Sequence, residues 1–537
     1  MSANVGVGQG KTIERIKNMQ EVSKNKQLMI NMVASLLSCL VSLAISFFIS
    51  PTIIAKLGFE AQSFWTMANN FVSFASIVTM ALNSMAGRFI TVHIHQGDFR
   101  GASTYFNSVM YANMAIVAVL VLPCTVVVFY LQKLVNISPE LLYDVKLLFA
   151  VTFLSFMVTI VSATFSTATF AANRLDLSAM RTIESQLMKA IILVALFHFF
   201  PIRISYLGIA TLLANVYLFL TYIHYTKKLL PDIQVSPKYF DIRKVFEILS
   251  AGIWNTVMRS GQLLTNQLDT YLSNIWIGGD EGGYVSTATT IANAINTLYE
   301  TVSAVFTPSL TISFAKENKE ELTEDLKSAM RLTGLFANIP LCFVIAFGIP
   351  FYYLWLPATK HFAVPTIYIL TLLIMCGTLV GGAISPLFNV YTIVNKLKWN
   401  SIVTLLMGFL NVVIVFILLQ FDVLHPYGLF FIAGISSILG IIKNLTFTPM
   451  YAAHCLGLKK RVFYPTIIRY MSVTILMAGI FTLYNRMIST ESWLVLFADI
   501  LLCGVTGLIL NYLILFTKKE RLIFQETIFR FLKRNRG

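Results

Sequence analysis

One long and mostly apolar segment of the sequence carries a row of polar side chains that includes an arginine and an aspartate. The row comprises Asn255, Arg259, Gln262, Asn266, Asp269 and Ser273. Intervals of three and four residues place all of them on one face of a helix. Charge inside a bilayer is costly, so Arg259 and Asp269 need polar partners or a water-filled cavity if this segment crosses a membrane. On one continuous helix they would lie about 15 Å apart along the axis, too far to pair with each other.

Other apolar segments carry further candidates for a polar site. Asn293 and Glu300 belong to a second row with helical spacing, and Lys189 lies deep within another segment. Each has a structural alternative. Rows of Ser, Thr and Asn commonly hold membrane helices together, and Lys189 could form an ion pair with Glu184 or Asp269.

The composition points to a membrane. Of the 537 residues 57% are hydrophobic and 12% are charged, and the mean hydropathy is +0.74. A soluble domain could not bury so much apolar surface, and the apolar runs are too long and uniform for barrel strands. We therefore predict an all-α polytopic membrane protein with about 14 spans. The spans lie near residues 28–50, 64–91, 103–131, 145–171, 178–200, 204–225, 247–277, 284–313, 328–356, 363–393, 399–420, 426–452, 464–485 and 493–516.

The basic residues set the predicted orientation. Of the 40 Lys and Arg residues, 30 fall in alternate connectors and the two terminal segments, and 6 fall on the opposite side. The positive-inside rule then predicts an even number of spans with both termini in the cytoplasm. This distribution explains the net charge of +15 without a nucleic-acid partner. Arg88 ends span two at the cytoplasmic side, either as part of a polar site or as an ordinary anchor.

The two halves of the chain have similar polar patterns. Asn31 heads span one and Asn255 heads span seven, 224 positions later. An even number of spans between the copies gives them the same orientation, which is typical of transporters with two bundles and a site between them. We expect two pseudo-symmetric six-helix bundles plus two C-terminal helices. The predicted segments are the cytoplasmic segment 1–27, the bundle 28–225, the linker 226–246, the bundle 247–452, the helices 464–516 and the basic amphipathic tail 517–537.

The sequence offers little for catalysis or for metal binding. The six cysteines form no CxxC pair, and we find no paired carboxylates, nucleophile–base set or metal-ligand cluster. The predicted outer loops are short, and the first holds one acid, Glu60. We therefore expect no enzyme activity, no cofactor and no metal. A membrane glycosyltransferase, polymerase or ligase is the alternative from another class.

Three stretches carry a resemblance to a known family: IIAKLGFEAQSFW (53–65), ALNSMAGRFITVHIHQGD (81–98) and SAVFTPSLTISFAKENKEEL (303–322). The chain resembles the oligosaccharide flippases of the MOP superfamily, whose relatives include multidrug MATE exporters and the lipid II flippase. The resemblance implies a V-shaped pair of bundles with a central cavity. It also implies that sugars linked to polyprenyl pyrophosphate move from the inner to the outer leaflet of a bacterial plasma membrane.

The implied cargo suggests roles for the polar residues. Arginine suits phosphate oxygens, amide side chains suit sugar hydroxyls, and spans 13 and 14 would shelter the lipid tail. The substrate-binding candidates are Arg259, Lys189, Arg88, Gln262, Asn266, Asn255 and Asn293. A gradient of H+ or Na+ would drive alternating access, with Asp269 or Glu300 as the coupling group, and other polysaccharide-assembly proteins are implied partners. The alternative is an ion-coupled antiporter of small molecules or drugs from the same superfamily.

Overall fold

The computed structural model describes residues 24–315, 318–421, 427–518 and 520–522. Over these ranges the chain forms helices and short connectors, with no β-strand. The predicted all-α fold is therefore confirmed. Most of the predicted segment 1–27 and most of the predicted tail 517–537 lie outside the described residues.

The described residues up to 305 form nine α-helices, and a 3-10 turn at Pro237–Tyr239 precedes the seventh. They are α1 (Lys24–His95), α2 (Phe99–Phe129), α3 (Leu131–Leu134), α4 (Leu142–Ala171), α5 (Leu175–Phe199), α6 (Ser205–Leu229), α7 (Ile242–Asn266), α8 (Asp269–Trp276) and α9 (Gly279–Val305).

The described residues after 305 form nine more, with a 3-10 turn at Ala358–Ala363 and a π-helical turn at Asn511–Leu515. They are α10 (Thr307–Ala315), α11 (Lys319–Trp355), α12 (Val364–Met375), α13 (Thr378–Ile393), α14 (Lys398–Leu419), α15 (Gly428–Leu445), α16 (Phe447–Cys455), α17 (Tyr464–Met487) and α18 (Trp493–Leu510).

Eleven helical stretches of the described residues are long and apolar enough to cross a membrane. In one of these, α1, two helices meet at Gly58, whose φ of 89° suits glycine and strains other residues. Spans seven and eight are the two most polar of the predicted set and are not among the eleven. They correspond to α7 with α8 and to α9 with α10. If α1 is counted as two spans and spans seven and eight are added, the eleven stretches become the 14 predicted spans.

Backbone contacts divide the chain into two compact units. Unit 1 is the described part of Met1–Thr287 together with Leu397–Ile432, and unit 2 is the described part of Ala288–Lys396 together with Ala433–Gly537. Unit 1 thus contains spans seven and eleven besides the first six, and span seven contacts both α1 and α14. The predicted C-terminal helices α17 and α18 belong to unit 2.

Glycines bring the helices of unit 1 into close contact. A Cβ atom at Gly252 of α7 would lie 2.1 Å from Ala81 O in α1, and one at Gly261 would lie 2.5 Å from Leu405 N in α14. Gly408 of α14 faces Gly261 in return. Helix α7 therefore packs at backbone distance against both neighbours, which small residues permit in membrane helices.

Buried polar pairs join the last helices of unit 2 to α11. Asn338 of α11 and Asn511 exchange side-chain hydrogen bonds of 2.9 and 3.2 Å, and both side chains are buried. Arg331 of α11 donates from Nε and Nη2 to Glu520 Oε1, at 2.9 and 2.7 Å. Because each group finds its partner inside the unit, these polar contacts fix α18 and the turn after it against α11.

Candidate functional site

The predicted polar row begins on α7, beside the second half of α1. Asn255 Nδ2 donates to Ser84 Oγ at 3.3 Å, and Asn70 Nδ2 donates to Gln267 O at 2.9 Å. The residue number on α1 falls as the number along the later segment rises, so the two helices run antiparallel. The row therefore follows α1 over about three turns.

The opposite face of α7 is occupied by α14. Ser401 Oγ of α14 donates to Trp254 O at 2.8 Å, and Gly261 meets α14 at backbone distance. Gly261 comes two positions after Arg259, which turns it about 200° around the helix axis. The Arg259 side chain therefore starts from the side of α7 that faces away from α14.

Arg259 has no countercharge in the described part of the chain. Its side chain is half-buried. Its Nη1 atom lies 3.5 Å from Oε1 of Gln262, a long hydrogen bond to a neutral group. No ion pair of Arg259 occurs among the described residues. A guanidinium in this state can bind an anion without first breaking a salt bridge.

The span that carries the row is broken. Helix α7 ends at Asn266 and α8 begins at Asp269. A break inside a membrane frees backbone carbonyls that need donors. Side-chain amides of two neighbouring helices supply them, since Asn70 of α1 donates to Gln267 O at 2.9 Å and Asn411 of α14 to Leu264 O at 3.3 Å.

This break corrects one sequence-based expectation. Arg259 and Asp269 do not share a continuous helix, so the prediction of one unbroken face carrying both is wrong. Arg259 lies on α7, with Asn255, Gln262 and Asn266, whereas Asp269 opens the separate helix α8. The cation and the acid therefore lie on two successive helices of unit 1.

The region around α8 is rich in buried acceptors. Asp269 Oδ1, Ser273 Oγ, Gln62 Oε1 and Gln267 Oε1 are buried and have no hydrogen-bond partner among the described residues. Asp269 is 6% exposed and Ser273, one helical turn later, is fully buried. A buried carboxylate without a donor is unfavourable. A proton on Asp269, or a cation beside it, would relieve this cost.

Lys189 lies over an aromatic ring instead of pairing with an acid. Its Nζ atom is 4.9 Å from the ring centroid of Trp65, within the range of a cation–π interaction. The predicted alternative partner Glu184 accepts from Arg181 Nη1 at 2.7 Å and from the Tyr217 hydroxyl. The alternative ion pair between Lys189 and Glu184 is therefore not formed.

The remaining candidates are exposed. Arg88 lies one turn beyond Ser84 on the same side of α1, and Asn266 is exposed at the end of α7. Asn293 and Glu300 are exposed on the part of α9 that belongs to unit 2. The structure thus joins Arg259 to Gln262 and Asn255 to Ser84, and the contact with Ser84 is one that sequence reasoning missed.

Glu60, the acid of the predicted first outer loop, lies in helix α1 and binds the connector between α3 and α4. Its two carboxylate oxygens accept from the backbone N and the hydroxyl of Ser138, at 2.8 and 2.7 Å. These hydrogen bonds give Glu60 a structural role in the connector before α4.

Comparison with known proteins identifies relatives. No family model matches the chain. The chain is 30% identical over 493 residues to EpsK of Bacillus subtilis (strain 168), an uncharacterized membrane protein. The aligned region covers 92% of this chain and 96% of EpsK.

Solved structures with a similar fold include two transport proteins. The lipid II flippase MurJ in an inward closed conformation matches with a TM-score of 0.64 and 16% identity, over 90% of this chain and 99% of MurJ. The MATE multidrug transporter DinF-BH in complex with R6G matches with a TM-score of 0.62 and 13% identity, over 82% and 98%. At these identities the likeness concerns the fold. Because the match to EpsK spans nearly all of both chains, the protein belongs to the family of the membrane protein EpsK.

Proposed function

We propose that this protein is a flippase that moves polyprenyl-pyrophosphate-linked oligosaccharide across a bacterial plasma membrane. The cargo would move from the inner to the outer leaflet by alternating access, for the biosynthesis of surface polysaccharide. Both termini would be cytoplasmic, as the 30 basic residues on one side of the membrane and the 6 on the other favour. Other polysaccharide-assembly proteins would supply and use the cargo.

The state of Arg259 carries this proposal. It is a half-buried cation within a predicted span, and its hydrogen bond goes to the neutral Gln262. A guanidinium presents N–H donors in a planar fork that matches phosphate oxygens. A pyrophosphate group would supply the negative charge that no described residue supplies. A cationic drug would add a second positive charge, so this arrangement favours the flippase over the drug antiporter.

The neighbours of Arg259 suit sugars. Asn255 lies one turn before it and Gln262 one turn after it, and Asn266 follows at the end of α7. Their amides can both donate to and accept from hydroxyl groups. In the proposed binding set, Lys189, Arg88 and Asn293 complete the groups that meet the cargo.

An ion gradient is the proposed driving force. Asp269 is buried with an unpartnered oxygen, and binding of H+ or Na+ would neutralise it. Glu300 is exposed and is the second candidate for this role. We propose that Asp269 couples the gradient to transport, since charge compensation matters most for the more buried acid.

An assay in cells tests the cargo. In the host that carries this chain, Arg259→Gln should reduce surface polysaccharide about 10- to 100-fold, because a charged hydrogen bond is worth about 1.5 to 3 kcal/mol. Arg259→Lys should keep part of the activity. The matched control is Arg469→Gln, an exposed arginine of α17, which should behave as wild type. The measurements are polysaccharide at the cell surface and protein in the membrane fraction.

Two results would overturn the proposal. One is full surface polysaccharide in the Arg259→Gln strain at a normal protein level. The other is resistance to cationic dyes that depends on this chain, together with unchanged polysaccharide when the gene is removed, which would favour the drug antiporter.

A further inference from the structure

An apolar groove of about 510 Å³ lies in unit 1, apart from the polar row. It is formed by the second half of α1, by α2, by the connector before α7 and by the first two turns of α7. Its walls include Leu82, Ala112, Ile116, Phe240, Ile242 and Val245. The polar row starts only at Asn255, so the groove is a separate feature of the molecule.

The groove extends from a polar connector into the apolar body of a span. At one end it is walled by Pro237 and Phe240, which belong to the connector between α6 and α7. At the other end it reaches Ala115 and Ile116 of α2, just over one turn beyond Tyr111. A linear hydrocarbon chain entering from the surface of a bilayer would follow such a path.

Apolar side chains are exposed around the connector end of the groove. Phe240 is 43% exposed, Ile242 is 52% exposed and Phe246 is 65% exposed. Three large apolar residues within seven positions, next to a charged connector, indicate contact with the membrane interface. The ring of Phe240 also meets Tyr111 edge-on, with centroids 6.1 Å apart.

Two cations next to this end have no ion pair among the described residues. Lys238 and Arg243 are exposed, and each directly follows a residue that lines the groove. Lys244 is already paired with Glu247 at 2.9 Å. The carboxylate of Asp241 caps α7 by accepting from the backbone N of Arg243 at 2.8 Å.

We propose that this groove holds one acyl chain of an anionic phospholipid, with the phosphate of its headgroup at Lys238 and Arg243. Apolar walls suit an acyl chain and exclude a nucleotide or a sugar. The two cations favour a lipid with net negative charge over a zwitterionic lipid, as basic sites at the cytoplasmic ends of membrane helices do. In the proposed orientation, the lipid belongs to the inner leaflet. The inference concerns a resident lipid and does not depend on the transported cargo.

Native mass spectrometry of the full-length protein tests the proposal. The protein is supplied with phosphatidylglycerol and phosphatidylcholine of the same acyl chains in equal amounts, and the retained lipids are counted. The wild type should retain phosphatidylglycerol preferentially. In the double variant Lys238→Gln/Arg243→Gln, the ratio of retained phosphatidylglycerol to phosphatidylcholine should fall about 30-fold, because each basic side chain contributes about 1 kcal/mol. Ala115→Phe, which fills the groove, should reduce retention of both lipids.

A matched charge change gives the control. Lys459→Gln/Lys460→Gln removes two exposed cations of unit 2 and should leave the preference unchanged. The thermal unfolding midpoint of each variant shows that it is folded. Equal retention of both lipids by the wild type would overturn the proposal, as would an unchanged preference in Lys238→Gln/Arg243→Gln. Displacement of phosphatidylglycerol by an equal amount of polyprenyl phosphate would also overturn it, because the groove would then belong to the cargo.

Discussion

Individual residues show which charges of this membrane protein are compensated. Glu184 is paired with Arg181, and Lys189 is stabilised by the ring of Trp65. Arg259 and Asp269 have no countercharge among the described residues. Uncompensated charge within a span is unfavourable, and this supports the proposed binding of an anion at Arg259 and of a cation or proton at Asp269.

Substitution of Asp269 tests the proposed ion coupling. Asp269→Asn resembles the protonated side chain and removes the charge that an ion would neutralise. Transport by the variant in proteoliposomes should no longer respond to an imposed gradient of H+ or Na+, whereas wild-type transport should accelerate. Glu300→Gln is the companion variant and should keep its response. If instead Glu300→Gln loses the response and Asp269→Asn keeps it, the coupling role belongs to Glu300.

Sequence reasoning recognised some of these residues and missed their neighbours. Arg259 could be recognised because an arginine in an apolar segment is rare and its helical spacing to other polar residues is readable. The contact between Lys189 and Trp65 could not, because it joins positions 124 residues apart that only the tertiary fold brings together. The hydrogen bond between Asn255 and Ser84 was missed for the same reason.

Among the helices, the break between α7 and α8 is the feature that sequence patterns did not predict. The residues Gln267 and Leu268 include neither glycine nor proline, so no local signal marks a helix end. The break is supported from outside, by amide donors on α1 and α14 that satisfy the freed carbonyls. Sequence periodicity describes one helix at a time and does not report such support.

Adding one methyl group at Gly252 should weaken the packing of α7 against α1. In Gly252→Ala, the new Cβ atom would lie 2.1 Å from Ala81 O, and backbone atoms cannot move aside easily. We expect a loss of about 1 to 3 kcal/mol and a lower thermal unfolding midpoint in detergent. Gly479→Ala of α17 is the control, because nothing lies within 4 Å of the new methyl group. An unchanged midpoint in Gly252→Ala would mean that the two helices are not in backbone contact.

The stability that the Arg331–Glu520 pair gives to the protein should depend on pH. Burial raises the pKa of Glu520, whereas hydrogen bonds from Arg331 and Thr517 lower it. Together the lowering effects are larger, so the pKa lies below its ordinary value of 4.5. A depressed folded-state pKa means that the pair stabilises the protein fully above about pH 4.5. This stabilisation is lost as the pH falls through the folded-state pKa.

Glu520→Gln should therefore lower the unfolding midpoint at pH 7 and reduce its dependence on pH below 4.5. Removing one partner of a buried pair costs about 3 kcal/mol. The control is Glu324→Gln, which breaks an exposed pair with Lys327 and should cost less than about 1 kcal/mol. Equal midpoints for wild type and Glu520→Gln across this pH range would contradict the assignment.

For the molecule as a whole, sequence reasoning recovered the fold class and the number of spans. Length and hydropathy are local properties, so all 14 spans could be counted. The packing of span seven against α1 and α14 through Gly252 and Gly261 could not be predicted in this way. Pairing of glycines across helices is a property of the folded structure.

The transport of an anionic lipid-linked sugar through contact with Arg259 is the central claim. The most direct measurement uses the purified protein in liposomes with a fluorescent polyprenyl-pyrophosphate disaccharide and a quencher that cannot cross the membrane. We predict that wild type and Arg469→Gln move the lipid between leaflets, and that Arg259→Gln is at least about 10-fold slower. Equal rates for Arg259→Gln and wild type, or a wild-type rate no faster than protein-free liposomes, would contradict it.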